Sequence, residues 1–177
     1  GPAEPDSDRH GTSSVYRMQN EPEPSPPQLL AFAEGLALHA QWLRDGTELI
    51  VAGQEDPAPG HVHLYLVGAD GGVRRNLSAA LDRTVQLEGG PFPGSTPAEL
   101  ADGSVLFSVN EGGIPVLYRV SRSGDAPVPV LRDPEEGMLQ ASAGGRRLAV
   151  IRRTPVSFGE IAVLAEGDDS ILVTDHG

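Results

Sequence analysis

The sequence predicts an all-β chain, built from β-propeller blades of four antiparallel strands each. Three observations predict it. Glycine and proline number 22 and 16, more than a fifth of the 177 residues, which argues against long helices and for many turns. An Asp-Gly or Gly-Gly pair recurs between two apolar runs. Downstream of it comes a second pattern: an alternating strand, a Gly-rich turn and a short strand ending in Leu.

The stretch Ala40 to Ala52, AQWLRDGTELIVA, is the first copy of the hairpin. Trp42 closes one apolar run and Leu49-Ile50-Val51 opens the next. Asp45-Gly46 lies between them, where glycine accepts positive φ freely and aspartate tolerates it. Asp102-Gly103 precedes Val105-Leu106-Phe107 in the same way, and Gly144-Gly145 precedes Leu148-Ala149-Val150.

The second pattern is clearest in HVHLYLVGADGGVRRNLS, His61 to Ser78. In Ile114 to Arg132, Leu117-Tyr118 matches Leu64-Tyr65, the Ser123-Gly124-Asp125 turn matches Asp70-Gly71-Gly72, and Leu131 matches Leu77. Val15-Tyr16 with Leu30 repeats it near the start. Ile161-Ala162, a Gly167-Asp168 turn and Val173-Thr174 repeat it near the end. The order is constant: strand, turn, strand, longer loop, strand, Gly turn, short strand. A unit of about 40 to 55 residues has the size of one propeller blade. Sandwiches also turn about every 8 to 12 residues, but they do not usually repeat a four-part order in register.

The repeats divide the chain into a partial first blade over 1–35, contributing outer strands only, and blades over 36–80, 81–133 (with a long entry loop) and 134–177. That makes about three and a half blades. A closed ring takes roughly 4 to 8, so the chain reads either as an unusually small ring or as a segment of a larger propeller, and the ragged start favours the segment. Gly1-Pro2 resembles the remnant of tag cleavage.

Formal net charge is −12, from 25 acidic and 13 basic residues. Nucleic-acid surfaces are normally basic, so no nucleic-acid partner is expected. Every basic residue is arginine, a composition that fits a GC-rich bacterial genome. There is no cysteine, which removes disulfides and thiolate metal sites and fits a cytoplasmic location. No run approaches the roughly 18 apolar residues of a membrane helix, so no membrane partner is expected.

The motifs Trp42-Leu43-Arg44-Asp45-Gly46, Leu64-Tyr65-Leu66-Val67, Asp70-Gly71-Gly72 and Arg75-Asn76-Leu77-Ser78 resemble those of the propeller of prolyl oligopeptidase-family serine peptidases. The acylaminoacyl-peptidase and dipeptidyl-peptidase-like bacterial branch is the nearest in pattern. Asn76 to Val85, Pro91 to Val120 and the closing Val173-Thr174-Asp175-His176-Gly177 resemble segments of that branch as well. The resemblance runs from about Leu38 onward. Leu43-Arg44 stands where Ser-Pro is usual, Ala101 where proline is, and Gly144 where aspartate is. Related blade motifs occur in the periplasmic Tol propeller and in WD repeats.

The resemblance implies a parent serine peptidase that hydrolyses short or acylated peptides. Its partners would be an α/β-hydrolase domain of the same protein and a peptide substrate, and a homo-oligomer is compatible with it. The propeller would gate access to a catalytic domain that is not in this chain. A stand-alone interaction propeller is the alternative. No catalytic residue is assigned, because the chain has no G-x-S-x-G elbow. Gly94-Ser95-Thr96 and Arg122-Ser123-Gly124 lack the second glycine at the right spacing. Arg152-Arg153 has the planar fork that suits carboxylates, but a solvated strand end accounts for it, so no substrate-binding residue is assigned.

His61 and His63 would share a strand face, yet no third ligand accompanies them, so no metal and no cofactor are assigned. His39 and His176 read as incidental. Glu111-Gly112-Gly113 and Asp70-Gly71-Gly72 read as hairpin turns rather than phosphate loops, since neither opens a helix. Asn76-Leu77-Ser78 is a glycosylation sequon without meaning in a bacterial cytoplasm. Tyr16, Tyr65 and Tyr118 recur at one blade position and read as packing residues.

Overall fold

Alternation and turn chemistry give only strands. A computed structural model describes residues 11–20, 22–23, 25–56, 60–89, 94–130, 137–144, 147–154, 156–165 and 171–175. The Gly167-Asp168 turn, Gly145, Leu131 and His176 lie outside these. Fifteen strands and no helix are found among the described residues. They fall into two compact units, 1–79 and 80–177.

The first unit holds a two-stranded ribbon, β1 (Val15–Arg17) and β2 (Gln28–Ala31), and a four-stranded antiparallel sheet. The sheet's strands are β3 (Leu36–Trp42), β4 (Glu48–Gln54), β5 (His63–Gly68) and β6 (Val73–Asn76), paired in chain order. The hairpin predicted at Asp45-Gly46 joins β3 to β4. Gly46 takes φ 69°, its N–H donates to the Leu43 carbonyl at 2.9 Å, and Leu43 N–H donates to the Glu48 carbonyl at 2.9 Å. One face of the sheet (Leu49, Val51, Tyr65, Val67) packs on Val15, Leu30, Ala31 and Phe32 of the ribbon segment. The Phe32 ring meets Tyr65 edge-on at 5.2 Å. Backbone bonds fasten the ribbon: Gly72 N–H to the Leu30 carbonyl at 2.7 Å, and Ala37 N–H to the Ser13 carbonyl at 2.9 Å.

The second unit holds two sheets. In the first, β9 (Val105–Glu111), β10 (Ile114–Val120) and β11 (Val128–Pro129) pair in order, while β7 (Val85–Gln86) and β8 (Ala98–Glu99) share the outer edge of β9. That first strand position is therefore split, with β7 opposite Ser108 and Val109 and β8 opposite Val105 and Leu106. Between them the structure describes residues 87–89 and 94–97. Gly94 sits there so tightly on Gln86 that a Cβ would lie 2.6 Å from its backbone carbon. The other sheet is β12 (Gly137–Gly144), β13 (Arg147–Thr154), β14 (Ser157–Ala165) and β15 (Ile171–Leu172), also in chain order. Leu106 and Leu117 of the former pack on Leu148, Val150, Ala162 and Leu164 of the latter.

Two local expectations change. The loop between the second and third strands is long only in the first unit. Between β9 and β10 it shrinks to Gly112-Gly113, both at positive φ (61° and 93°), a hairpin turn whose Gly113 N–H donates to Asn110 Oδ1 at 2.8 Å. Val130, rather than Leu131, stands at the position of Leu77: Leu77 N–H donates to the Leu64 carbonyl at 2.7 Å, and Val130 N–H to the Leu117 carbonyl at 2.9 Å.

Candidate functional site

The polar concavity of the second unit forms where two turns on one side of the β7–β11 sheet face each other. One is Leu100 to Ser104, between β8 and β9. The other is Ser121 to Ala126, between β10 and β11. The cavity measures about 650 Å³ and is lined by Asp102, Ser104, Arg119, Ser121, Arg122 and Asp125 among others.

The Asp-Gly turn builds its floor. Gly103, at φ 82°, donates its N–H to the Leu100 carbonyl at 3.1 Å. Asp102 Oδ1 accepts from the Ser104 N–H at 3.0 Å and from the Ser104 hydroxyl at 2.6 Å. The first unit repeats this, with Asp45 Oδ1 accepting from Thr47 N–H at 2.9 Å and Thr47 Oγ1 at 2.8 Å. The repeating unit is thus Asp-Gly-Ser/Thr, and the hydroxyl residue is part of the turn.

What differs is the charge around it. Alignment of the two turns places Glu99 where Trp42 stands, Arg119 where Leu66 stands and Arg122 where Ala69 stands. Arg119 Nε donates to Ser104 Oγ at 2.8 Å, and its guanidinium pairs with Asp102. Arg122 Nε donates to the Gly103 carbonyl at 3.1 Å, and its guanidinium pairs with Glu99, whose side chain is only 7% exposed. Two ion pairs therefore flank the Asp-Gly turn, and the Arg122–Gly103 bond links it to the turn opposite. The Ser104 hydroxyl, aided by its N–H and by Arg119, holds the Asp102 carboxyl below its usual pKa against partial desolvation.

This arrangement braces two turns and presents paired charges to solvent. It holds no serine–histidine contact, since no histidine occurs among the described residues of the second unit. Ser95, of the Gly94-Ser95-Thr96 stretch, is buried. Arg152 and Arg153 lie at the end of β13 and do not line the cavity.

A serine–histidine contact does occur in the first unit, and its geometry is that of a lock. Ser78 is fully buried, its Oγ accepts from Leu64 N–H at 2.9 Å and lies 3.2 Å from His63 Nδ1. The last sheet repeats the lock with different residues. Thr174 Oγ1 accepts from Ile161 N–H at 2.9 Å and donates to Glu160 Oε2 at 2.5 Å. Burial, then the neighbouring His61, lowers the pKa of His63. His61 precedes β5, with its ring 6.3 Å from that of His63. No group of three or more His, Asp or Glu side chains suited to a metal ion is found among the described residues. Asn76 Oδ1 accepts from Ser78 N–H at 3.1 Å, so the sequon is occupied by the same lock. Tyr65 and Tyr118 are buried as packing residues, but Tyr16 is half exposed.

The repeated turn, the repeated lock and the stacked antiparallel sheets are the elements of propeller blades, and solved structures match them. An acylaminoacyl peptidase from Pyrococcus horikoshii superposes on 94% of this chain at TM-score 0.69 and 17% identity. The chain has a β-propeller fold. A Mycobacterium tuberculosis puromycin-hydrolyzing peptidase matches 93% of it at TM-score 0.69 and 19% identity. The β-propeller domain of the Trilobed protease from Pyrococcus furiosus matches 92% at TM-score 0.61 and 16% identity. The propeller chain spans 23% and 25% of the two peptidase chains and 50% of the Trilobed propeller domain. No family model and no curated protein matches the sequence. Among the described residues, no helix is long and apolar enough to cross a membrane.

Proposed function

We propose that this chain is the propeller portion of a prolyl oligopeptidase-family serine peptidase acting on short or acylated peptides. In this reading the propeller gates substrate access to an α/β-hydrolase domain elsewhere in the same protein, in a cytoplasmic enzyme. Residues 36–80, 81–133 and 134–177 form its blades, with 1–35 the outer part of another. The observation that carries the reading is the match of more than nine-tenths of the chain to propeller-bearing peptidases, together with the chain's own Asp-Gly-Ser/Thr and Leu-Tyr blade motifs. The groove at Asp102 and Arg119 fits a bracing role for this portion, since its polar groups bond to one another: the Ser104 hydroxyl donates to Asp102 and accepts from Arg119.

The full-length protein is the material for the test. Labelling by a fluorophosphonate serine probe, with cleavage of short blocked peptides and sparing of folded proteins, is the expected result. A folded full-length protein that resists the probe overturns the peptidase reading and leaves a binding propeller.

A further inference from the structure

Residues two apart along a strand share a face, and at the entry to β5 this brings His61, His63 and Tyr65 into one row of rings. The His61 and His63 rings lie 6.3 Å apart at 84°, and the His63 and Tyr65 rings 6.1 Å apart at 83°. Tyr65 is buried, His63 half-buried and His61 exposed, so the row runs from the core of the first unit out to solvent. Two imidazoles therefore stand side by side at its open end.

His63 is oriented as a metal-bound histidine is. Its Nδ1 lies 3.2 Å from Ser78 Oγ, and that oxygen is itself fixed by the Leu64 N–H at 2.9 Å. With Nδ1–H donating to Ser78, Nε2 keeps the lone pair. Ligating histidines are held in this way, the second ring nitrogen donating to a fixed oxygen that sets tautomer and direction. An imidazole nitrogen binds a first-row divalent ion at about 2 Å, which sets two rings on one ion about 5–6 Å apart between centres. The 6.3 Å separation is slightly wider, and His61, exposed and ahead of the first residue of β5, closes it by rotating its side chain. Charge favours a cation here. The chain carries a net −12, and Glu55 and Asp56, both exposed, lie in the connector that leads to His61.

We propose that His61 and His63 chelate a divalent first-row transition ion, through Nε2 of His63 and one ring nitrogen of His61. Imidazole suits copper, nickel and zinc, and affinity among them peaks at Cu²⁺. A closed structural zinc site takes four ligands, and no group of three or more suitable side chains is found among the described residues. The site is instead an open chelate, with water in the remaining positions and the ion exchangeable. Both ligands come from one short stretch of chain, so the ion is bound by the fold rather than holding the fold together. Ser78 then serves twice: it closes the Leu64 N–H, and it aims the His63 ring.

The test titrates the chain with Cu²⁺ alone at neutral pH, by calorimetry and by electron paramagnetic resonance. The wild type is expected to take up one equivalent, with a spectrum split by two imidazole nitrogens. His61→Gln removes one ligand at an exposed position and is expected to leave the circular dichroism spectrum unchanged. Its affinity should fall about tenfold or more, because the second ring no longer binds as part of a chelate, and its spectrum should show one imidazole nitrogen. His63→Gln should do the same. His10→Gln and His176→Gln are the controls and should bind as the wild type does. A wild type that takes up no Cu²⁺ overturns the proposal. So does a His61→Gln chain that binds as tightly as the wild type, or a signal lost in either control. The site belongs to the first unit, and the serine-probe result on the full-length protein is independent of all these outcomes.

Discussion

Arg122 reaches back 23 residues to the buried carboxylate of Glu99, and its Nε bonds the Gly103 carbonyl between them. The pair occupies the places of Ala69 and Trp42 in the first unit, so an apolar solution and an ionic one serve the same turn geometry. Removing one partner leaves the other charge short of its counter-ion in a largely buried setting. Arg122→Ala is expected to cost about 1–3 kcal/mol. Glu99→Trp with Arg122→Ala installs the first unit's pair and is expected to cost less than the two singles summed, with a coupling of about 1–2 kcal/mol. Urea unfolding of the four chains measures it, and additive effects would remove the brace from the account.

The locks at Ser78 and Thr174 make the same bonds at different burial. Ser78→Ala strips the only hydroxyl acceptor bonded to the Leu64 N–H, in a fully buried place, at a cost of about 1–3 kcal/mol. Thr174→Val exposes the Ile161 N–H at a residue 44% accessible, where water can replace the hydroxyl, and is expected to cost under about 1 kcal/mol. Unfolding midpoints of the two variants should rank in that order.

Protonation of His63 should weaken the fold. Its pKa in the folded chain lies below the ordinary value near 6.5, because burial and then His61 oppose the charge. The unfolded chain therefore takes up the proton first as pH falls. The contribution of His63 is whole above about pH 6.5 and declines as pH drops through that value toward the folded pKa. His63→Asn keeps a hydrogen-bonding group beside Ser78 and does not titrate. Its melting temperature is expected to fall less than the wild type's between about pH 7 and 5, and parallel curves would discard the assignment.

Positive φ at the turn glycines gives a purely conformational prediction. A Cβ on Gly46 would meet nothing within 4 Å, and one on Gly103 would meet only Arg122 at 3.8 Å. Alanine at either place therefore loses no packing and costs about 1–2 kcal/mol through the left-handed backbone alone. Thermal melts of Gly46→Ala and Gly103→Ala should shift by similar amounts, and a silent Gly46→Ala would contradict the turn geometry.

The hairpin at Ala40 to Ala52 was legible because its causes are local: apolar alternation on both sides and a residue pair suited to positive φ. Val130 was not distinguishable from Leu131, since both are aliphatic and a one-residue choice of register depends on a bond to Leu117 across the sheet. Asp102-Gly103 was legible as a turn. Its surrounding charges were not legible as a brace, because Glu99, Arg119 and Arg122 come from different strands and turns. Aligning the two blades position by position would have exposed the exchange of Trp42 for Glu99. Ser104 and Thr47, following each Asp-Gly, were a visible signal of the capped turn.

By itself the sequence determined the all-β class, the places of the turns and the repeating blade order, because φ preferences and period-two alternation act within a few residues. The tertiary structure decided which copies of a repeated residue are buried and which charges meet. Tyr16 and Tyr65 occupy one position of the repeat, yet Tyr65 lies under Phe32 and Tyr16 faces solvent. The same position is core or surface according to whether a neighbouring sheet lies against it, and no local pattern encodes that neighbour.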